Sequence, residues 1–336
     1  MGLRRYLARR VIYALATLFA IANFNFLIFQ LIPQYFLHID PAYFFIPNSQ
    51  GGGQFPPALI KQVEESLGLN QPWDVRYSKY LESMFTGNFG YSFQPGHQSV
   101  DSILSIYLPR TLLLIATVLV VSAILGSFVG TYAASHRGKL SDKLLLVTSF
   151  FTFSLPEFWV GLILLSIFAI HFHLFPISLS TAFNSANSIQ FTGIAYVSRL
   201  LWAMVMPWLT LLIGTVGGYL LIVRNTMVNV LSDDYIRMAR LRGIPNRIVL
   251  LKHALRNSIL PVISQLGVQL ARVLTGAVIV ETVFSFQGLG YTLFSAVENQ
   301  DFPVVQAVFF IVAAMVIVGN LVVDLVYGYI DPRIRY

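Results

Sequence analysis

From Thr111 to Ser135 the chain runs 25 residues without a charged side chain, and comparable apolar runs recur along its length. As a helix rising about 1.5 Å per residue, such a run more than covers the roughly 30 Å hydrocarbon core of a bilayer. In lipid no water takes up backbone N–H and C=O groups, so each run has to close its hydrogen bonds internally, as a helix. Six runs qualify: Val11–Ile32, Thr111–Ser135, Leu144–Ile170, Leu200–Val223, Ser258–Val280 and Val304–Tyr329. The third carries Pro156 and Glu157 as an interruption, and the second and fourth carry the pairs Gly126/Gly130 and Gly214/Gly218. Small residues four apart let helices approach closely in lipid.

Composition excludes the soluble alternative: 56% of residues are hydrophobic, 11% are charged, and the mean hydropathy is +0.69. The net charge of +7 is not a nucleic-acid signal, because the cations cluster at the ends of apolar runs. Sixteen of the 22 Lys and Arg residues fall in four segments that six crossings place on one side. By the positive-inside rule that side is the cytoplasm, and both termini lie there. Arg4, Arg5, Arg9 and Arg10 precede the first run as they would in a secretory signal, but the run is long enough to span and is expected to be a retained helix. The absence of Cys leaves no disulfide framework and no thiolate metal site.

These readings divide the chain into residues 1–32 (cytoplasmic N-terminus and first span), 33–101 (an extracytoplasmic insert) and 102–336 (a five-helix core). In the insert Pro47, Gly51–Gly53, Pro56 and Pro57 read as loop, whereas Ala58–Leu67 and Asp74–Phe85 predict amphipathic helices. In the core, Gly288 and Gly290 suit a sharp turn after the fifth span. His171 and His173, two apart, would face different ways on a helix and do not suggest a metal site.

The longest basic stretch between two spans covers residues 224–257 and holds Arg224, Arg237, Arg240, Arg242, Arg247, Lys252 and Arg256. Ser232 before Asp233 and Asp234 reads as an N-cap followed by acids in the first turn. Tyr235, Met238, Ala239 and Arg242 share one face at i, i+3, i+4 and i+7. Gly243 is placed to close the helix as a C′ residue, and Pro245 forbids its continuation. A second helical pattern follows through Ile248, Leu251, Leu255 and Ile259. A short capped helix in such a loop is a surface for a cytoplasmic partner.

The stretch DYIRMARLRG…LKHALRNSILPV resembles the cytoplasmic coupling loop of the inner-membrane permease subunits of ATP-binding cassette (ABC) importers, specifically the dipeptide/oligopeptide/nickel family. LGLNQPWDVRYSKYLESMFTGNFGYSF (Leu67–Phe93) resembles the external segment of the B-type peptide permease subunit. SLPEFWVG, ETVFSFQGLGYTLFSAVENQDFPVVQ and the terminal Asp331-Pro332-Arg333-Ile334-Arg335 are similar to the family as well. Against the broader importer pattern EAA-x-x-x-G, only Ala239 and Gly243 remain; Gln287 stands where the family has Pro, and the Gly-rich Ser49–Gln54 is no family feature. The resemblance implies a type I ABC importer permease fold. It also implies that Asp234, Tyr235, Arg237, Met238, Ala239, Arg240, Arg242 and Gly243 form the ATPase-coupling helix. The partners it implies are a second homologous permease, two ATPase subunits and an extracytoplasmic substrate-binding protein, in the cell membrane.

The chain has no G-x-x-x-x-G-K-[ST], no H-E-x-x-H and no G-x-S-x-G. ATP and Mg²⁺ are therefore expected on separate subunits, with no cofactor in this chain. Ionisable side chains inside spans are costly and point to function. Glu157 and Arg272 fall at similar depth and are candidates to pair or to line a translocation path, and Glu281 is a candidate for an external gate. The expected function is translocation of oligopeptides or dipeptides by alternating access. Oligosaccharide or nickel import by the same machinery is the alternative. An ion-coupled secondary transporter would show inverted repeats that are absent here, and a membrane-embedded enzyme would need a cluster of intramembrane His, Asp or Glu.

Overall fold

The computed structural model describes residues 3–35, 61, 70–92, 94, 98–183 and 193–330. The Gly-rich Ser49–Gln54, the helix expected over Ala58–Leu67 (Lys61 apart) and the terminal Asp331–Arg335 lie outside them. The order is α1 Leu3–Phe26, a π-wound stretch Leu27–Leu31, α2 Ile32–Tyr35, α3 Trp73–Thr86, α4 Val100–Ser135, α5 Leu140–Ser154, α6 Glu157–Leu164 with a π-wound continuation Leu165–His171, and α7 Leu179–Phe183. There follow α8 Gly193–Val230, α9 Asp234–Leu241, α10 Asn246–Ile248, the π-wound Val249–Ala254, α11 Leu255–Ser258, α12 Leu260–Val283, α13 Leu289–Glu298 and α14 Phe302–Ile330.

Among the described residues, Ala8–Leu31, Val100–Ser135, Gly193–Val230, Leu260–Val283 and Phe302–Gly328 are each long and apolar enough to cross a membrane. The third expected span is not one straight helix: α5 and α6 meet at 98°. Counted as one crossing, the bent pair raises the number to six. The break has a local cause. Pro156 has no N–H to donate and disfavours helix at the residue before it, and Leu155 is accordingly extended at φ −71°, ψ 137°. The turn expected at Gly288 and Gly290 is centred earlier. Ser285 has φ 43° and Gly288 is the N-cap of α13, which leaves Gly290 inside that helix.

The chain forms two compact units. The first comprises residues 1–111 and 287–318. Here α3 of the insert lies on α1: the Phe26 ring meets Tyr77 at 5.2 Å and Tyr80 at 5.3 Å, and the Tyr77 hydroxyl donates to Asn23 Oδ1 at 2.6 Å. The expected helix Asp74–Phe85 is thus present, one residue longer at each end. A second cluster of Val100, Leu104, Leu289, Ala296, Val304 and Val308 joins the start of α4 to α13 and α14. The Leu289 N–H donates to Thr111 Oγ1 at 2.7 Å, and Arg110 Nη1 donates to the Gln287 carbonyl at 3.0 Å. These two bonds satisfy polar groups at the entry to α13.

The second unit comprises residues 112–286 and 319–336 and is built around α8, whose buried face runs from Leu200 to Met227. Glycines let its neighbours reach the backbone. A methyl group on Gly130 of α4 would stand 2.7 Å from the Leu220 carbonyl oxygen, and one on Gly217 of α8 would stand 2.7 Å from the Ser149 carbonyl oxygen of α5. The packing reading of Gly126 and Gly130 therefore holds: Gly126 lies against Tyr219 and Leu220, and Gly130 against Leu220 and Val223.

Candidate coupling surface and mid-membrane cavity

The basic loop folds onto the end of α8. The N–H groups of Leu231, Ser232 and Asp233 donate to the carbonyls of Met227, Asn229 and Val230 at 2.9, 3.0 and 3.1 Å, which carries the chain through a turn into α9. The N-cap of α9 is Asp233, not Ser232, whose hydroxyl is spent on the Asn229 carbonyl at 2.6 Å. At the other end Gly243 sits at φ +76°, its N–H donating to Arg240 O at 2.9 Å and the Ile244 N–H to Ala239 O at 3.3 Å. These are the two bonds of a Schellman cap, and glycine takes that conformation without steric penalty.

The expected single face of α9 is divided. Ile236 (0% exposed) and Ala239 (8%) turn inward with Met227, Val249 and Ala254. Tyr235 (42%), Met238 (52%) and Leu241 (81%) turn outward with Arg237, Arg240 and Arg242. The reason is angular: at 100° per residue Ile236 and Ala239 are 60° apart and centre the buried arc between them, with Tyr235 and Met238 beyond its edge. Ala239, expected to share the face of Tyr235 and Met238, instead packs into the chain's own core. The following helix is turned likewise. Its π-wound stretch buries Val249 and Ala254, while Ile248 and Leu251 of the expected stripe stay exposed. Asn257 Nδ2 donates to the Tyr235 hydroxyl at 2.7 Å and ties the two helices together.

A contact the sequence does not announce anchors this loop. Arg224, near the end of α8, donates through Nε and Nη2 to Asp142 Oδ1 and Oδ2 at 3.1 and 2.8 Å. The Gly138 N–H adds a third bond to Oδ2 at 3.0 Å. Planar guanidinium meeting carboxylate in this two-toothed way fixes orientation as well as distance.

Glu157 is the first residue of α6, at the bend. Its side chain lies between two bare backbones: Cγ is 3.3 Å from where a Cβ of Gly214 would stand, and Oε2 occupies the place of a Cβ on Gly276. Arg272 does not pair with it. Arg272 Nη2 donates to the Phe153 carbonyl at 3.3 Å, and its guanidinium lies 4.0 Å above the Phe153 ring. Both charges line one cavity of about 550 Å³, with Phe153, Ser154, Phe158 and Ile279 among its walls. Depth along a span was enough to bring the two side chains to one cavity, but not to bring them into contact. Glu281, the candidate for an external gate, is fully buried near the end of α12.

Residues 125–336 match the family described as "Binding-protein-dependent transport system inner membrane component", and residues 3–115 match its N-terminal companion. The chain is similar to the "Oligopeptide transport system permease protein AppB" of Bacillus subtilis, 32% identical over 98% of this chain and 99% of the relative. It is similar to the "Dipeptide transport system permease protein DppB" of Escherichia coli K12, 31% identical over 99% of each. It is also similar to the "Oligopeptide transport system permease protein OppB" of Haemophilus influenzae, 30% identical over 99% of each.

Proposed function

The chain belongs to the inner membrane components of binding-protein-dependent transport systems, and we propose that it is a permease subunit that carries peptides inward by alternating access. It is a multi-pass, all-helical membrane protein of the type I permease fold and a transport subunit. ABC importers of this family work with ATPase subunits and a substrate-binding protein. In our reading two ATPase subunits hold ATP and Mg²⁺, a second homologous permease completes the path, six crossings leave both termini in the cytoplasm, and residues 224–257 form the coupling loop. The names of its relatives favour peptide over oligosaccharide or nickel.

The observation that supports the coupling role is the build of α9. A helix of two turns, capped at Gly243 and bolted inward through Ile236 and Ala239, holds out Tyr235, Met238 and Leu241 between arginines. Large apolar side chains on an otherwise basic cytoplasmic helix are costly in water and suit a partner's groove. A rigid pedestal transmits the motion of that partner to α8, and Arg224 carries it on to α5 through Asp142.

The test is to extract the tagged chain in mild detergent, identify what co-purifies by mass spectrometry, and measure ATP-dependent uptake of a labelled tripeptide by the reconstituted complex. ATPase subunits and a second permease in the eluate, with uptake that needs ATP, are expected. A chain that emerges alone, or uptake driven by an ion gradient, would sink the proposal.

A further inference from the structure

We propose that the cavity at the α5–α6 bend binds the two charged ends of a free peptide, Glu157 taking the ammonium group and Arg272 the carboxylate; this rests on the peptide reading above. The position is deep. Arg272 lies twelve residues from the start of α12 and eleven from its end, roughly 18 and 16 Å from the two ends at the helical rise. A carboxylate and a guanidinium at that depth cannot be left against lipid at tolerable cost, so the cavity they line opens on a polar path. The backbone points the same way. Non-helical chain at membrane depth is stable only inside protein or beside water, and the Leu155–Pro156 break is such a segment.

The charges are held apart and available. Among the described residues Glu157 has neither a hydrogen-bond donor nor an ion-pair partner, although the Arg272 charge is near enough to act on it. Its carboxylate is seated by the missing side chains of Gly214 and Gly276, not by a bond of its own. Arg272 is fixed in orientation by the Phe153 ring and carbonyl, and a guanidinium has five N–H donors, so most remain for a carboxylate. Two opposite charges lining one cavity without pairing match a ligand that itself carries both, separated. In the same lining Phe153, Phe158 and Ile279 offer apolar wall, which accepts side chains of varied shape without demanding a particular hydrogen bond. A neutral sugar would use neither charge, and a metal cation would be repelled by Arg272.

The experiment uses the complete transporter (both permeases, ATPase subunits and binding protein) in proteoliposomes, with trialanine, N-acetyl-trialanine and trialanine amide. Each peptide is supplied at a concentration that gives measurable uptake by the wild type. One binding protein serves every variant, so its own selectivity cancels between them. Glu157→Gln is expected to lower the preference for trialanine over the acetylated peptide about tenfold and leave the preference over the amide unchanged. Arg272→Gln is expected to do the converse, with Arg272→Lys in between because it keeps the charge but not the fork. Assembly of each variant is checked by gel filtration. Preferences unchanged in both variants, or uptake of free and capped peptides falling in step, would overturn the site while leaving the peptide importer standing. A wild-type complex that carries none of the three would overturn the peptide reading and this site with it.

Discussion

Arg224 holds Asp142 in a two-toothed ion pair across 82 residues of sequence, with Nη2 2.8 Å from Oδ2. The Asp142 side chain is 2% exposed and that of Arg224 17%, so little water is present to replace either partner. Removing one partner strands a buried charge, which costs roughly 3 kcal/mol, far more than the net worth of an exposed pair. Asp142→Asn and Arg224→Gln should each lower the melting temperature of the detergent-solubilised protein. The double variant should be less damaged than the sum of the two, because residues in contact do not act additively. Strict additivity in thermal unfolding would show that the pair contributes no coupling between α5 and α8.

Two glycines with crowded surroundings should behave differently when a methyl group is added. On Gly130 the methyl group would meet the Leu220 carbonyl at 2.7 Å and Val223 Cβ at 3.0 Å. Backbone cannot step aside, so α4 and α8 must part, and Gly130→Ala should destabilise by about 1–3 kcal/mol. On Gly276 its three nearest neighbours would all be carboxyl atoms of Glu157, the end of a side chain that can swing away. Gly276→Ala should therefore stay within about 1 kcal/mol of the parent in thermal unfolding yet reduce peptide uptake, because Glu157 loses its seat. A Gly276→Ala protein that melts like Gly130→Ala would show the Glu157 side chain to be locked.

What could be read from the sequence was what repeats along one axis. Apolar runs located the five long helices and the bent pair, with ends off by as much as eleven residues at the start of α4, and Gly243 before Pro245 located the end of α9 because φ > 0 is a local demand. What could not be read was direction. Hydropathy along Leu144–Ile170 is the same whether Pro156 kinks the helix gently or turns it by 98°. Equal depth for Glu157 and Arg272 says nothing of azimuth, and the Phe153 ring claimed the guanidinium first. Ala239 fell on the wrong side of α9 because its neighbours in space, Met227 and Val249, come from elements whose rotation no periodicity reports. The Asp142–Arg224 pair was hidden for the same reason, since each residue looked like an ordinary charge at the end of a span.

The division of α9 into two faces makes a sharper claim than the coupling role alone. Ile236→Ala removes a side chain with no exposure from the cluster with Met227 and Val249, and should cost about 2–5 kcal/mol of stability. Gly243→Val forces a β-branched residue to φ +76° in otherwise open space, a strain of roughly 1–3 kcal/mol. Met238→Asp and Leu241→Asp touch neither core nor cap, so the chain should melt as before, but its retention of ATPase subunits on an affinity column should fall by about tenfold or more. Apolar anchors lost from the centre of a docking surface act on the complex and not on the fold. If the Met238→Asp/Leu241→Asp double variant keeps its ATPase subunits while Ile236→Ala sheds them without loss of thermal stability, the docking surface lies on the other side of α9.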